Sequence, residues 1–358
     1  MSQMSKKINF GPIQKLLDDP DISEIMINSF DKIFVEKCGK KVPAESVFKT
    51  TEELSILIDS IFTTYNKRIG ADFPYADLCI EDGTRINAII SPLSRFGSAV
   101  TFRKFSNTIN TLDDLIRLGM LNQKAADFLV ACVKGKVNMI LSGGTGVGKT
   151  TLLQMLSRYF ASDERVVTIE DAAELKINQD NVVSLETRLP DREGKGEVTL
   201  RDLTKNSLRM SPDRLIFGEI RGAEAADMLQ AMSMGNTGAI GIIHGNSPKE
   251  AMTRLESMVL MLGLNLSSLE IRKMISNTIN LIVHVERLRD GQRRVTYITE
   301  VRGMKNEEIF FNDLFTLQEI NVAGKTVEEL KSAFQYYPLF FSRLEEEGLV
   351  SANAFTSS

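Results

Sequence analysis

Cysteine is scarce in this chain and does not cluster. Cys38, Cys79 and Cys132 stand far apart and are odd in number. That excludes a disulfide framework or a cysteine zinc site and fits a reducing compartment. Histidine is rarer still: only His244 and His284 are present, too few for a histidine metal cluster. No window approaches a run of about 18 apolar residues, so no transmembrane segment is expected. The opening stretch MSQMSKKINFGP has basic residues but no apolar core, and no secretory signal is expected from it. Charge is nearly balanced, with Lys+Arg 43 against Asp+Glu 47 and a net charge of -4. There is no basic field to make nucleic acid the main partner. Internal repeats and low-complexity tracts are also missing.

What remains is an ordinary globular balance, 43% hydrophobic and 25% charged over 358 residues. That length has room for two or three domains with full cores. Residues 1–105 read as an α+β domain. A short helix over 13–17 leads into a hairpin of two apolar runs, 22–27 and 32–35. Thr50 or Thr51 caps a helix whose buried stripe is Leu54, Leu57, Ile58, Ile61 and Phe62. Strands at 75–80 and 84–90 turn at Glu81, Asp82 and Gly83, and residues 100–103 continue as a strand. The polar stretch 106–111 reads as a linker. Beyond it Thr111 caps a helix over 112–118, and a second helix covers 122–132. Strands and helices then alternate to residue 302, which argues for a mostly parallel sheet with both faces covered. Residues 303–358 read as a small mixed tail with helices at 326–335 and 338–347.

The most informative stretch is VNMILSGGTGVGKTT, residues 137–151. A short apolar strand runs into a glycine loop and then a helix start. Gly143, four residues, then Gly148, Lys149 and Thr150 give the G-x-x-x-x-G-K-[ST] spacing. Glycines let successive backbone N–H groups converge on one anion. The helix N-terminus adds its positive end. Gly143, Gly144, Thr145, Gly146, Val147, Gly148, Lys149, Thr150 and Thr151 are therefore the expected phosphate cradle. Lys149 reaches the β- and γ-phosphates and Thr150 ligates Mg²⁺.

In such sheets ligands sit at the carboxyl ends of the strands. Glu219 ends one strand and is a candidate Mg²⁺ ligand, with an acidic helix cap as the alternative. Glu170 and Asp171 end another, with Glu174 close by. A carboxylate there orients or deprotonates water, with capping again the alternative. His244 ends a third strand and is a candidate γ-phosphate contact. His284, inside IVHV, reads as a core histidine. Arginines complete phosphoryl-transfer sites. Arg85, Arg103, Arg201, Arg209 and Arg221 are candidates, and for each the alternative is a surface ion pair.

Four motifs in order, GGTGVGKTT, TIEDAAEL, RLIFGEIRGAEAADMLQAM and IHGNSPKEAMTRLE, resemble the ATPases of type II and type IV secretion systems. The stretches GPIQKLLDDPDISEIMIN, DGTRINAIISPL, TFRKF and RDLTKNSLRMSPDR resemble the CpaF/TadA branch, which serves tight-adherence pili. The likeness runs from about residue 11 to 355. It implies a RecA-like P-loop ATPase core, α/β in class, over residues 112–302. A smaller PAS-like α+β domain precedes it, joined through 106–111. It also implies Glu170 as catalytic carboxylate, Glu219 in the Walker B position, His244 in the His box, and Arg85 and Arg103 as arginines presented to the nucleotide. Family members usually carry a second histidine where Asn236 follows Gly235 here, which weighs against a two-histidine mechanism. Ser211 stands where an arginine is common. No CxxC pair is present, so no zinc is expected. The resemblance implies a cytoplasmic homo-hexamer using ATP and Mg²⁺, peripheral at the inner membrane and docked on a pilus or secretion platform protein. The rival expectations are a DNA-transfer motor and a slow nucleotide-binding assembly factor.

Overall fold

The computed structural model describes residues 8–37, 40–45, 47–65, 67–80, 82–104, 109–191, 193–235, 238–263, 265–322 and 325–351. The chain forms two compact units, Met1–Thr108 and Ile109–Ser358.

The first unit contains α1 (Gln14–Asp18), β1 (Ile22–Ser29), β2 (Lys32–Lys37), β3 (Lys40–Pro43), α2 (Thr51–Thr64), β4 (Tyr75–Cys79), β5 (Arg85–Ile89) and β6 (Ala99–Arg103). The strands make an antiparallel sheet in the order β3-β2-β1-β6-β5-β4. Thr50 caps α2, its side chain accepting from the Glu53 N–H at 3.2 Å. Leu54, Leu57, Ile58, Ile61 and Phe62 are all buried. They share one core with Ile25, Ile27, Ile86, Val100 and Phe102 from the sheet, as an apolar stripe at helical spacing requires. The exposed edge strand β3 had no signal in the sequence, since its residues Lys40–Pro43 lie on the surface. Gly83 takes a positive φ in the β4–β5 turn; Glu81 of that expected turn lies outside the described residues.

The second unit opens with α3 (Leu112–Arg117), α4 (Gln123–Lys134), β7 (Met139–Gly143), α5 (Lys149–Ser157), β8 (Val166–Glu170) and β9 (Val182–Glu186). It continues with α6 (Leu200–Ser207), β10 (Arg214–Ile220), α7 (Glu224–Ser233), β11 (Ile240–His244), α8 (Pro248–Leu260) and α9 (Ser268–Thr278). It closes with β12 (Leu281–Arg287), β13 (Arg293–Lys305), β14 (Glu308–Val322), β15 (Lys325–Ser332) and α10 (Phe341–Glu346). The nine strands form one sheet in the order β15-β14-β13-β12-β7-β11-β10-β8-β9. From β12 through β9 every pairing is parallel, and β13, β14 and β15 add on antiparallel.

Alternation along the strands sorts side chains onto the two faces. On β7, Met139 and Leu141 join the core with Phe128 of α4 and Leu152 and Leu156 of α5. Ile140 between them joins the opposite core with Met228 of α7, Leu255 of α8 and Ile271 of α9. Both faces of β7 are therefore covered, as its unbroken apolar run demands. Thr111 caps α3 in a capping box with Asp114. The expected linker 106–111 lies partly outside the described residues.

The helix expected over 326–335 is corrected by the structure: β15 runs Lys325–Ser332 and pairs with β14, Leu317 opposite Leu330. Leu330 is buried in the α4–α5 core, so tertiary pairing overrides the helix-favouring Glu-Glu-Leu-Lys composition. The tail from 303 thus begins as sheet. Among the described residues no helix is long and apolar enough to cross a membrane.

Candidate nucleotide site

β7 ends inside the sheet, with Gly143 opposite His244 of β11 and Val285 of β12. A side chain at Gly143 would collide with the Val285 carbonyl, and its φ is +145°. Glycine is therefore required where the chain leaves the sheet. Gly146 and Gly148 also have positive φ. Gly148 sits immediately before α5 in the left-handed region. Val147 is buried in the core and anchors the loop from below. The first N–H groups of a helix lack intrahelical acceptors, so Lys149, Thr150 and Thr151 present theirs at the loop. The Lys149 ammonium is buried and donates to the carbonyls of Gly143 (3.0 Å) and Gly144 (2.5 Å).

Glu219 is the penultimate residue of β10. Its register against β11 shifts between Phe217 and Ile220, the kind of irregularity that re-aims a side chain. One carboxylate oxygen, Oε2, accepts from Arg221 Nη2 at 2.6 Å. The other, Oε1, lies 2.6 Å from His244 Nε2. Burial pushes the Glu219 carboxyl up, but the Arg221 hydrogen bond and the charges of Arg221, His244 and Lys149 outweigh it and hold it below its ordinary value. For His244, burial is the largest push and lowers its pKa. Lys149 adds to this, and Glu219 opposes it without reversing it. The ring is thus neutral at pH 7 and donates Nε2–H to Glu219. Its charge acts on Glu219 only in acid; at neutral pH Arg221 and Lys149 do that work.

Glu170 ends β8 and is buried. Its Oε1 accepts from the N–H groups of Glu174 (3.0 Å) and Leu175 (3.1 Å). The carboxylate therefore holds the turn that follows the strand. It lies against Gly218: a methyl group there would come 2.6 Å from Glu170 Cγ. Burial raises the pKa of neighbouring Asp171, against the pull of Arg221.

The structure gathers Lys149, Glu219 and His244 at neighbouring strand ends, with Glu170 one strand further on. Arg85 and Arg103 belong to the first unit, where they are cross-strand partners on β5 and β6. Arg103 Nε lies 3.5 Å from Glu24. Arg201 is paired with Asp227 at 2.6 Å, and Arg209 is exposed. His284 is fully buried, with Nδ1 2.8 Å from Ser142 Oγ. Asn236 lies outside the described residues. Two sets of contacts were not read from sequence. Arg221, one of the candidate arginines, grips Glu219 from just beyond the end of β10, where strand alternation no longer sets the side. Met120 Cε and Arg293 Cδ lie 3.5 and 3.7 Å from where a methyl at Gly148 would project, flanking the start of α5. No local pattern joins those three residues.

The donors suit a nucleotide phosphate bound with a divalent ion. The loop is a glycine cradle with a lysine and a helix N-terminus. Among the described residues no group of three His, Cys, Asp or Glu could hold a metal on its own. Mg²⁺ takes few protein ligands and the rest from phosphate and water, which one carboxylate (Glu219) and one hydroxyl (Thr150) can supply.

Comparison with known proteins gives the family. Residues 6–319 match the family model described as type II/IV secretion system protein. A putative conjugal transfer protein of Mycobacterium tuberculosis is 30% identical over 298 residues, 82% of this chain and 84% of the relative. An uncharacterized protein of Methanocaldococcus jannaschii is 38% identical over 238 residues, 64% of this chain, and the match spans 33% of that longer relative. The X-ray structure of the Legionella pneumophila ATPase DotB superposes with a TM-score of 0.55 at 21% identity, covering 81% of each chain, a likeness of fold. The chain belongs to the type II/IV secretion system protein family.

Proposed function

We propose that this chain is an ATP-hydrolysing motor of a secretion or conjugal-transfer apparatus. The observation that carries the reading is the convergence of Lys149, Glu219 and His244 at the mouth of a glycine loop. Backbone N–H groups from the loop through Thr151 hold the phosphates. Lys149 exchanges its contacts with the loop carbonyls for phosphate oxygens. Thr150 and Glu219 hold Mg²⁺, which supplies charge neutralisation on the transferring phosphoryl group. His244, neutral, keeps its Nε2–H on Glu219 and steadies that carboxylate beside the γ-phosphate. Glu170, its direction fixed by the turn it holds, orients the attacking water. Arg85 and Arg103 stabilise charge on the γ-phosphate from the first unit.

The chain works as a homo-hexamer on the cytoplasmic side, peripheral to a membrane platform protein. The name of the mycobacterial relative favours conjugal transfer. The stretches upstream of the loop favour the second reading, assembly of a tight-adherence pilus. DNA separates the two: stimulation of hydrolysis by duplex or single-stranded DNA supports transfer, and indifference supports the pilus. Turnover of ATP by the wild type beside Lys149→Ala and Glu219→Ala tests the enzyme itself. Both variants are expected to lose at least about a hundredfold in kcat, and equally negligible rates in all three proteins would sink the motor.

A further inference from the structure

Glu219 has both of its oxygens engaged: Oε2 by Arg221 and Oε1 by His244, each at 2.6 Å. Each oxygen keeps a further lone pair, but a guanidinium charge on the same carboxylate repels an incoming divalent cation and fills one of its approach directions. The two partners differ in how easily they leave. His244 terminates β11 in hydrogen-bonded register with Gly143 and is only 25% exposed. The Arg221 side chain lies just beyond β10 and is 66% exposed, so its guanidinium can exchange with water at low cost. The Arg221 backbone, by contrast, is fixed. The N–H groups of Arg221 and Gly222 both donate to Glu224 Oε1, at 2.7 and 2.8 Å. A methyl on Gly222 would lie 3.1 Å from Glu224 Oε2, so this close cap favours glycine. The arrangement is a fixed pivot carrying a movable cation. Asp171 and Glu224 act on the same guanidinium, so a displaced Arg221 still has acidic neighbours.

We propose that Arg221 is a positioning residue, a latch that holds Glu219 off the divalent ion until nucleotide-bound Mg²⁺ displaces it. The proposal rests on the nucleotide-site reading above and adds that Mg²⁺ must compete with an internal cation for its carboxylate. Glu224 sets the latch by pinning the backbone from which Arg221 swings.

The test is binding, not turnover. Fluorescently labelled ADP is titrated onto the full chain in EDTA and then at increasing Mg²⁺, for wild type, Arg221→Ala and Arg221→Lys. Removing the latch is expected to lower the half-saturating Mg²⁺ concentration about fivefold, the size of one partly exposed charge-assisted hydrogen bond. ADP affinity in EDTA should stay within about twofold of wild type, because that state does not use the carboxylate. Arg221→Lys, retaining charge but losing the fork geometry, should fall between. An unchanged or raised Mg²⁺ requirement in the variants overturns the latch and leaves the motor reading standing. A wild type that binds no ADP in either condition overturns both. Should Arg221→Ala fail to fold by circular dichroism, Arg221→Lys decides alone: a lowered Mg²⁺ requirement supports the latch and an unchanged one overturns it.

Discussion

At the scale of single residues, several positions owe their identity to what lies beside them. Gly218 is the clearest. Its missing side chain leaves room for Glu170, whose carboxylate holds the N–H groups of Glu174 and Leu175. Gly218→Ala should force Glu170 aside, at a strain cost of about 1–3 kcal/mol. The expected result is a large fall in kcat with ADP affinity little changed; an undiminished kcat would show that the direction of Glu170 does not matter. His284 gives a pH-dependent prediction. Burial is the main cause that lowers its pKa from 6.5, with the Glu286 charge opposing. The unfolded chain therefore binds the proton more readily than the folded one, and stability is lost as pH falls below the unfolded value. Denaturant midpoints should drop from pH 7.5 to pH 5.5. The drop should be smaller in His284→Asn, and the remainder belongs to His244, whose pKa is lowered in the same direction. Equal drops in both proteins would remove His284 from the account. The glycine loop, Glu219 and His244 were all legible in sequence, because each sits at a strand end beside a turn. Arg221 was legible only as one of several arginines, since it lies just past the end of β10, where alternation predicts neither side nor partner.

At the scale of elements, the second unit is tied together at the end of the sheet opposite the glycine loop. Arg214, the first residue of β10, is fully buried and forks onto both oxygens of Glu164, at 2.9 Å each. It also donates to the carbonyls of Gly238 (2.9 Å) and Val133 (3.1 Å) and lies over the Phe160 ring. One guanidinium thus joins the end of α4, the segment after α5, and the starts of β10 and β11. A side chain at Gly238 would strike it. Arg214→Ala leaves Glu164 buried beside Lys136 alone, at 3.5 Å. The expected loss is about 3–5 kcal/mol by denaturant unfolding, the cost of breaking a buried pair from one side. The double change Arg214→Met with Glu164→Leu should cost much less, because it leaves no stranded charge. If the double variant is as unstable as the single, packing around the pair rather than its charge is what matters. Sequence carried no sign of this strap, because its partners are dispersed between residues 133 and 238. β15 was missed for a different reason, because its partner β14 is next in sequence. Its local composition favours helix, and the strand that captures it lies across a hairpin. Helices α2 and α3 were legible because stripe and cap are both local.

At the scale of the molecule, the chain is two units with separate cores, and its proposed chemistry draws on both. Lys149, Glu219 and His244 come from the second unit, whereas Arg85 and Arg103 sit side by side on β5 and β6 of the first. In the proposed ring such arginines have two choices, the nucleotide of their own chain or that of a neighbour, and no residue spacing distinguishes them. Mixing does. Lys149→Ala chains have no working loop but intact arginines, and Arg85→Ala/Arg103→Ala chains have the reverse. Each alone should be inactive. In randomly mixed rings, on the order of a quarter of the interfaces pair an intact loop with a neighbour's intact arginines. Recovery of turnover toward that fraction on mixing assigns the arginines to the neighbouring chain. Absence of recovery, in mixtures shown by mass to have exchanged subunits, assigns them to their own chain. Retention of full activity by the double arginine variant alone would remove them from the mechanism and leave the cation work to Lys149.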